Sequence, residues 1–518
     1  MSSTTSSEDP RASGARGVRG YLVRVFPTHW TLLLGEIALN SLVVLVLTGA
    51  YLTLFFEPAL VTVVYDGPYD NLRGVPMSHA YASALDISFE VRGGLFVRQL
   101  HSWAASVFIA SLLAALVATF FTGAFRRPRR KLWTVGVALL LTGVGAAFTG
   151  VLLLDDLLSG TSLRMISGYL LAVPVVGSWL HWMLFGGEFG STDVIPRLYA
   201  LHLLLPAVMA ALAAVAFAVV RRHGHPRFRR TERTVVGIPM PQATALFAAT
   251  VGVLAVLAGA FQVNPVWLYG PANPAQVSAG STAPWYFGWV DGAVRLWPAW
   301  EIHLGPYTIP PWFWPSIVFL PLSFAALALY PWIERRVTRD DAPHHLLQRP
   351  RDVPARTSLG VMVITFYGCL QLAAAIDALA FHLHTSADAM YWVLRIALLV
   401  APPLAYLVTY RHCLGLQGAD RDVLEHGIET GVIRRLPHGG YIAVRHPLGG
   451  LDEHDRPVPL EYRGVPVPKR MNQLGMPGPA DPGSPLQPDP ADETARIGAA
   501  RTAGRGAHRA PSRDRAAR

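Results

Sequence analysis

Apolar runs of about twenty residues recur along the chain, at 31–56, 100–125, 132–154, 198–220, 243–263, 311–332, 359–381 and 390–410. Each is long enough to cross the ~30 Å hydrocarbon layer of a bilayer as a helix. Lipid offers no water to a backbone N–H or C=O, so a spanning run must satisfy its own hydrogen bonds. The pattern predicts an all-α integral membrane protein of about eight transmembrane helices. Three connections are long, 57–99, 155–197 and 264–310, and long ordered loops usually serve function. The last is rich in aromatics and proline (NPVWLYGP, APWYFGW, WPAWE). It predicts surface helices at a membrane interface, where Trp and Tyr settle. Residues 1–20 are Ser- and Arg-rich and read as a disordered N-terminus, not as a secretory signal. In 470–518 Pro, Ala, Gly and Arg dominate, which predicts a disordered tail. No internal sequence repeat is evident.

Composition agrees with the membrane assignment. Charged residues make up 15% and apolar residues 52% of the chain, against ~25% charged in ordinary globular proteins. Mean hydropathy is +0.34. The two cysteines, Cys369 and Cys413, are too few for an iron–sulfur or zinc centre built by this chain. The net charge of +10 is set by placement. Residues 126–131 (RRPRRK) are basic with no acid, 221–233 carry six arginines against Glu232, and Arg335, Arg336 and Arg339 follow the sixth run. The alternate loops are acidic: 57–96 hold Arg73 and Arg92 against five acids, and 155–196 hold Arg164 against four. By the positive-inside rule the arginine-rich loops and both termini are cytoplasmic. The arginine excess is thus a topology signal, and a nucleic-acid partner is not expected. Glu36, Asp377 and Arg395 are isolated near run ends, so no charged pathway for a transporter or channel continues through the spans.

Two histidines stand out. His101 opens the second run (VRQLHSW) and His202 opens the fourth (RLYALHLLLP). Both runs start at the outer face, so the imidazoles lie at similar depth. Two neutral imidazoles on facing helices make an axial haem pair, and Arg98 and Arg197 nearby suit propionates. The alternative is a pair of histidines hydrogen-bonded within the bundle. Gly35 and Gly49 in the first run, and Gly136 and Gly150 in the third, share one spacing. Fourteen steps of ~1.5 Å put each pair ~21 Å apart on nearly one helix face, where missing Cβ atoms would let flat macrocycles approach. Ordinary small-residue helix packing would produce the same glycines. His344 and His345 read as solvated loop residues, and Cys369 as a packing residue.

The strings LGEIAL (34–39), VRGGLFVRQLH (91–101), FFTGAFRRPR (120–129), DDLLSGT (155–161), LFGGEF (184–189), IPRLYALH (195–202), NPVWLYGP (264–271) and QVSAGS (276–281) stand in order along the chain. HHLLQRPRDVP (344–354) and LEHGIETGVIRRLPHGGY (424–441) follow them. Together they resemble cytochrome b of the quinol–cytochrome c reductase (bc) complex, in its actinobacterial branch, over about residues 20–450. The resemblance implies a plasma-membrane, multi-pass chain with a haem-binding bundle formed by the first four helices. It implies electron transfer from menaquinol or ubiquinol through haem b in a respiratory chain. Its partners would be a Rieske-type iron–sulfur subunit and a cytochrome c subunit, a terminal oxidase beyond them, and a second copy in a homodimer. The domains it implies are the N-terminus 1–20, a haem-bundle domain 21–235, a second transmembrane domain 236–414 with a quinone-site loop 264–310, a cytoplasmic extension 415–469 and the tail 470–518.

The chain departs from that pattern in two places. In the family each histidine-bearing helix supplies a second haem ligand about four turns deeper. Here the matching positions are Ala115 on one helix and Ala216 or Phe217 on the other. The resemblance therefore supports one haem b, at the outer site on His101 and His202, with the inner site lost. The family also carries Pro–acid–aromatic–Tyr in the quinol-oxidation loop, and this chain reads Ala283, Pro284, Trp285, Tyr286. Trp285 and Tyr286 keep the pocket framework, but the acid that would take the quinol proton is Pro284, which cannot titrate. Leu154 and Val151 also replace the family's proline and tyrosine. Asp291 and Glu301 are the nearby acids that remain. Two functions follow: the ordinary respiratory subunit, or a divergent paralogue with one haem or none, without bifurcated turnover, serving assembly, regulation or quinone binding.

Overall fold

The computed structural model describes residues 25–27, 30–224, 237–278, 282–454, 456, 458–462 and 467–468. The expected disordered segments 1–20 and 470–518, the basic stretch 225–233 and the end of QVSAGS lie outside the described residues. The chain divides into two units. One comprises Met1–Arg227, Arg233–Leu347 and Ala355–Tyr410, the other Phe228–Glu232, Gln348–Pro354 and Arg411–Arg518.

The first unit is mainly helical. Helices α1 (Trp30–Leu52), α2 (His79–Phe89), α3 (Gly94–Thr122) and α4 (Arg130–Leu152) come first. Then follow α5 (Leu157–Leu171), α6 (Gly177–Phe185), α7 (Val194–His223), α8 (Met240–Ala260) and α9 (Gly288–Leu296). The last are α10 (Leu320–Thr338), α11 (Pro354–Ala373), α12 (Ile376–His382) and α13 (Ala387–His426). Among the described residues, six helical segments are individually long and apolar enough to cross a membrane: Leu33–Leu52, α3, α4, α7, Trp314–Thr338 and α13. The seventh run is two helices, α11 and α12, meeting at 70°. The fifth gives a shorter apolar helix, Thr244–Ala260. Helix α9 packs closely beside this bend. A Cβ on Gly292 would fall 1.7 Å from the Leu370 carbonyl oxygen, so only glycine lets α9 press against the backbone where α11 ends.

Helix α1 packs along α3, α4 along α7, and α3 against α4. Their shared interior is apolar and buried: Ala38, Leu42, Phe108, Leu112, Leu116, Val137, Leu140, Val144 and Met209. Between these helices the long loops fold into small elements, including the two-stranded ladder β1 (Thr62–Val64) with β2 (Pro76–Ser78) and the short helices α2, α5, α6 and α9. The aromatic loop does form a helix, α9, but a packed one and not the expected surface helix: Gly288, Val290, Gly292, Ala293 and Leu296 are buried. The end of α3 is tied to the segment after α8: Gln99 and Val263 exchange two hydrogen bonds of 3.0 and 2.7 Å.

The second unit is held by a polar knot. Arg349 meets Asp352 at 2.9 Å and Asp420 at 3.4 Å, and the Tyr462 hydroxyl donates to Asp352 at 2.6 Å. Asp420 is fully buried, and a buried carboxylate persists only with cations beside it. A two-stranded antiparallel hairpin, Ile428–Arg435 with Tyr441–His446, follows.

Candidate functional site

The two histidines selected from the sequence meet. The ring centroids of His101 and His202 lie 6.4 Å apart with planes at 62°. Two imidazoles sharing one metal through bonds of ~2.0 Å place their centroids about 6.3 Å apart. The pair is therefore spaced for one iron between them.

The hydrogen bonds set which nitrogen is available. Thr48 donates its hydroxyl proton to the Val44 carbonyl at 2.7 Å, and its oxygen stands 2.9 Å from His101 Nδ1. Thr149 donates to the Gly145 carbonyl at 2.9 Å, and its oxygen stands 3.1 Å from His202 Nδ1. With the hydroxyl proton already committed, each threonine oxygen accepts from Nδ1–H. The Ala146 carbonyl accepts from His202 Nδ1 as well, at 3.0 Å. This network assigns both rings the tautomer whose Nε2 carries a bare lone pair, the form in which histidine ligates a metal while its other nitrogen is oriented by an acceptor.

The glycines shape the same place. A Cβ on Gly49 would lie 3.2 Å from His101 Cε1, and one on Gly150 would lie 2.9 Å from His202 Cε1. The two half-sites match position by position. Thr48, Gly49 and His101 on α1 and α3 correspond to Thr149, Gly150 and His202 on α4 and α7, with threonine and histidine 53 residues apart in both. Gly35 and Gly136 fall in the same register. The bundle is thus two equivalent helix pairs, although no repeat is visible in the sequence at large. The threonines were not singled out from sequence. The signal that would have found them is the dipeptide Thr-Gly occurring in both helices.

The same register resolves the deeper position. Ala115 on α3 corresponds to Ala216 on α7, while Phe217 is 60% exposed and turned out of the bundle. Ala115 and Ala216 carry no donor atom. Gly136 there is covered by a leucine, since a Cβ on it would lie 3.0 Å from Leu116 Cδ2. Gly35 has nothing within 4 Å of its Cβ position.

The two arginines differ. Arg98 is 6% exposed. It donates Nη1 to the Asn264 carbonyl at 3.0 Å and lies 5.8 Å from the Trp267 ring centroid. Its Nε and Nη2 are buried without an acceptor among the described residues. Buried guanidinium donors left unpaired are costly, and a propionate carboxylate beside the histidine pair would satisfy them. Arg197 is already engaged, with Asp193 at 3.1 Å and the carbonyls of Trp182 and Met183 at 3.0 and 2.7 Å. The spacing of the rings, the bare Nε2 atoms, the glycine cradle and the orphaned Arg98 donors all fit a haem.

The outer loop places the remaining candidates. Trp285 and Tyr286 lie edge to face at 5.7 Å, and the neighbouring Phe287 stacks on Phe148 of α4 at 4.9 Å. Burial pushes the Tyr286 hydroxyl pKa up, so it stays protonated. Pro284 contributes only its carbonyl, which accepts from Phe287 N at 2.8 Å. Asp291 is locked to Arg295 at 2.9 Å, and Arg295 also holds Asp377 at 2.7 Å. Glu301 is half-exposed and 3.9 Å from His303 on a surface hairpin. Neither is arranged as a free base beside Tyr286. Asp155 and its neighbour Asp156 are acids of this region whose pKa values burial raises; of the two, Asp155 is the one bonded to Ser78. It is buried at 8% exposure, accepts from the Ser78 hydroxyl at 2.5 Å, and burial pushes its pKa up to about 7.

Comparison with known proteins agrees with the fold. The family described as Cytochrome b(N-terminal)/b6/petB matches residues 106–271. The chain is 52% identical over 499 residues to the cytochrome bc1 complex cytochrome b subunit of Mycobacterium tuberculosis, covering 94% of this chain and 91% of that one. It is 51% identical over 490 residues to the subunit of the same name from Corynebacterium diphtheriae, covering 93% and 91%. With that of Streptomyces coelicolor the identity is 42% over 462 residues, covering 88% and 85%. Among solved structures, a chain of a hyperthermophilic respiratory Complex III superposes with a TM-score of 0.56 at 19% identity. It covers 77% of this chain and 98% of that one, a likeness of fold.

Proposed function

The chain belongs to the family of cytochrome b subunits of cytochrome bc1 complexes, and from that membership we propose that it is a one-haem form of the subunit. As a member of that family it is a multi-pass membrane protein whose fold binds haem b and which works with the other subunits of a complex. The proposal concerns how much of that chemistry its own residues retain. Haem b, when bound, would supply a one-electron carrier at the histidine end of the bundle. His101 and His202 would hold the iron through Nε2, Thr48 and Thr149 would fix the tautomer, and Arg98 would receive a propionate. The observation that carries this reading is the oriented histidine pair at 6.4 Å, set against the paired alanines in equivalent register below it.

The finer assignments rest on sequence and placement. We propose that the arginine-rich loops and both termini are cytoplasmic in the plasma membrane and that the histidine end faces outward. The quinone would be menaquinone, bound against Trp285 and Tyr286 in the loop 264–310. The partners would be a Rieske-type iron–sulfur subunit, a cytochrome c subunit and a second copy of the chain. The loss of both the deeper ligands and the acid at Pro284 favours the divergent-paralogue role, without bifurcated quinol oxidation, over the ordinary respiratory one.

Haem stoichiometry tests the central claim. The purified chain is expected to give one haem b per polypeptide by pyridine haemochrome, lost in His101→Ala. Two haems per chain would overturn the assignment of Ala115 and Ala216 as missing ligands, and none would return the histidines to a packing role.

A further inference from the structure

The end of the bundle opposite the histidine pair carries more positive charge than its acids neutralise, part of it buried (Arg129 and Arg356) and part exposed (Arg127 and Arg335). The turn between α3 and α4 supplies Arg126, Arg127, Arg129 and Arg130, α10 ends with Arg335, and α11 begins with Arg356. Three carboxylates answer them, and each is shared or already taken. Glu334 is clasped by Arg356 at 2.6 and 3.1 Å. Asp341 serves Arg130 at 2.8 Å, Arg335 at 2.9 Å and Arg127 at 3.7 Å. Asp340 accepts from His344 Nε2 at 2.7 Å and stands 4.0 Å from Arg126.

Among the described residues Arg129 meets no carboxylate. It is 3% exposed and gives Nη2 to the His344 carbonyl at 2.8 Å. Its Nη1, and Nε of Arg130, are buried without an acceptor among the described residues. Burial, and next the neighbouring Arg356, push the Arg126 pKa down to about 10, as expected of a cation short of negative charge. A small cavity open to solvent sits among these groups, lined by Arg126, Arg130, Arg335 and His344 and by the carboxylates of Glu334 and Asp340. Helix α4 also begins here, and its cap residue Arg129 makes no side-chain cap. The first-turn N–H groups add to the positive potential.

We propose that this cavity binds a phosphate oxyanion, seated between Arg126, Arg130 and Arg335. The charge excess calls for an anion, and guanidinium forks match the geometry of phosphate oxygens better than that of a single-atom ion. A phospholipid headgroup or a free phosphate supplies the same chemistry, and the two differ in how the group arrives.

The test uses the full chain in nanodiscs of neutral phosphatidylcholine. One arm adds phosphatidylglycerol, and the other adds inorganic phosphate to neutral discs. Retained lipid or phosphate per chain is read by native mass spectrometry, and affinity by titration of the melting temperature. Arg126→Gln is the main variant, because its nearest carboxylate, Asp340 at 4.0 Å, is already bound to His344. Arg92→Gln removes an exposed charge from the opposite end as a control. The parent is expected to bind one anion per chain, Arg126→Gln about tenfold more weakly, and Arg92→Gln like the parent. Binding of phosphatidylglycerol alone identifies a headgroup site, and binding of both identifies a site open to free phosphate. Binding of neither, or equal loss in both variants, would overturn the proposal.

Discussion

A glycine beside a histidine ring and a glycine facing open space make opposite predictions for the same substitution. At Gly150 a new methyl would sit 2.9 Å from His202 Cε1, and that ring cannot swing away without breaking its Nδ1 bonds to Thr149 and Ala146. Gly150→Ala is expected to lower haem content several-fold, in the range seen when groups orienting a metal ligand are disturbed. At Gly35 nothing lies within 4 Å, and Gly35→Ala is expected to leave the haem-to-protein ratio unchanged. Equal effects at the two sites would mean that Gly150 is not part of the cradle. Sequence pointed to His101, His202 and the four glycines because each residue type is unusual or evenly spaced in an apolar run. It could not separate the glycines that face a ring from the one covered by Leu116. It passed over Thr48 and Thr149 because a lone threonine in a spanning helix normally bonds its own backbone, as both also do here.

At the scale of elements, the runs of apolar residues were legible as helices, while the joints between them were not. The run 359–381 is unbroken in sequence, yet it bends by 70°, close to where Gly292 of a distant loop helix lies against the Leu370 carbonyl. Three-residue strands such as Thr62–Val64 are too short to show a period of two. The joint between α4 and α5 stores a cost that can be measured. Asp155 adopts a left-handed φ of 48° and is buried beside Asp156, with a pKa raised from 3.8 to about 7, chiefly by burial. The folded state therefore holds a proton that the unfolded chain releases above its ordinary carboxylate pKa, so stability falls as pH rises from about 4 to about 7. Asn is uncharged, accepts from Ser78 equally well and tolerates the left-handed region. Asp155→Asn is expected to match the parent near pH 4 and to exceed it by about 1–3 kcal/mol at pH 8. Melting curves across that range check it, and a constant difference at all pH values would show that Asp155 is ionised in the fold.

At the scale of the whole molecule, the two losses seen in the sequence fall at opposite ends of one path. At the histidine end, Pro284 offers no proton acceptor, and Asp291 is tied to Arg295. Deeper in the bundle, Ala115 and Ala216 offer no axial ligand, and on the one-haem proposal a span of ~21 Å is left without a carrier. A quinol that gave one electron to an iron–sulfur partner would then have no route for the second to the other face. Membranes whose sole cytochrome b is this chain are accordingly expected to show no inhibitor-sensitive menaquinol–cytochrome c reductase rate above background. Pro284→Glu alone is expected not to restore it, because the deeper gap remains. The structure narrows what a rescue requires. The deeper ligand on α7 belongs at Ala216 and not at the outward Phe217, and Leu116 must also shrink, since it covers Gly136 where a macrocycle would pack. Pro284→Glu with Ala115→His, Ala216→His and Leu116→Ala is the smallest set expected to yield a second haem and measurable turnover. Robust turnover by the unaltered chain, in membranes lacking any other cytochrome b, would sink the one-haem assignment and establish the chain as an ordinary respiratory subunit.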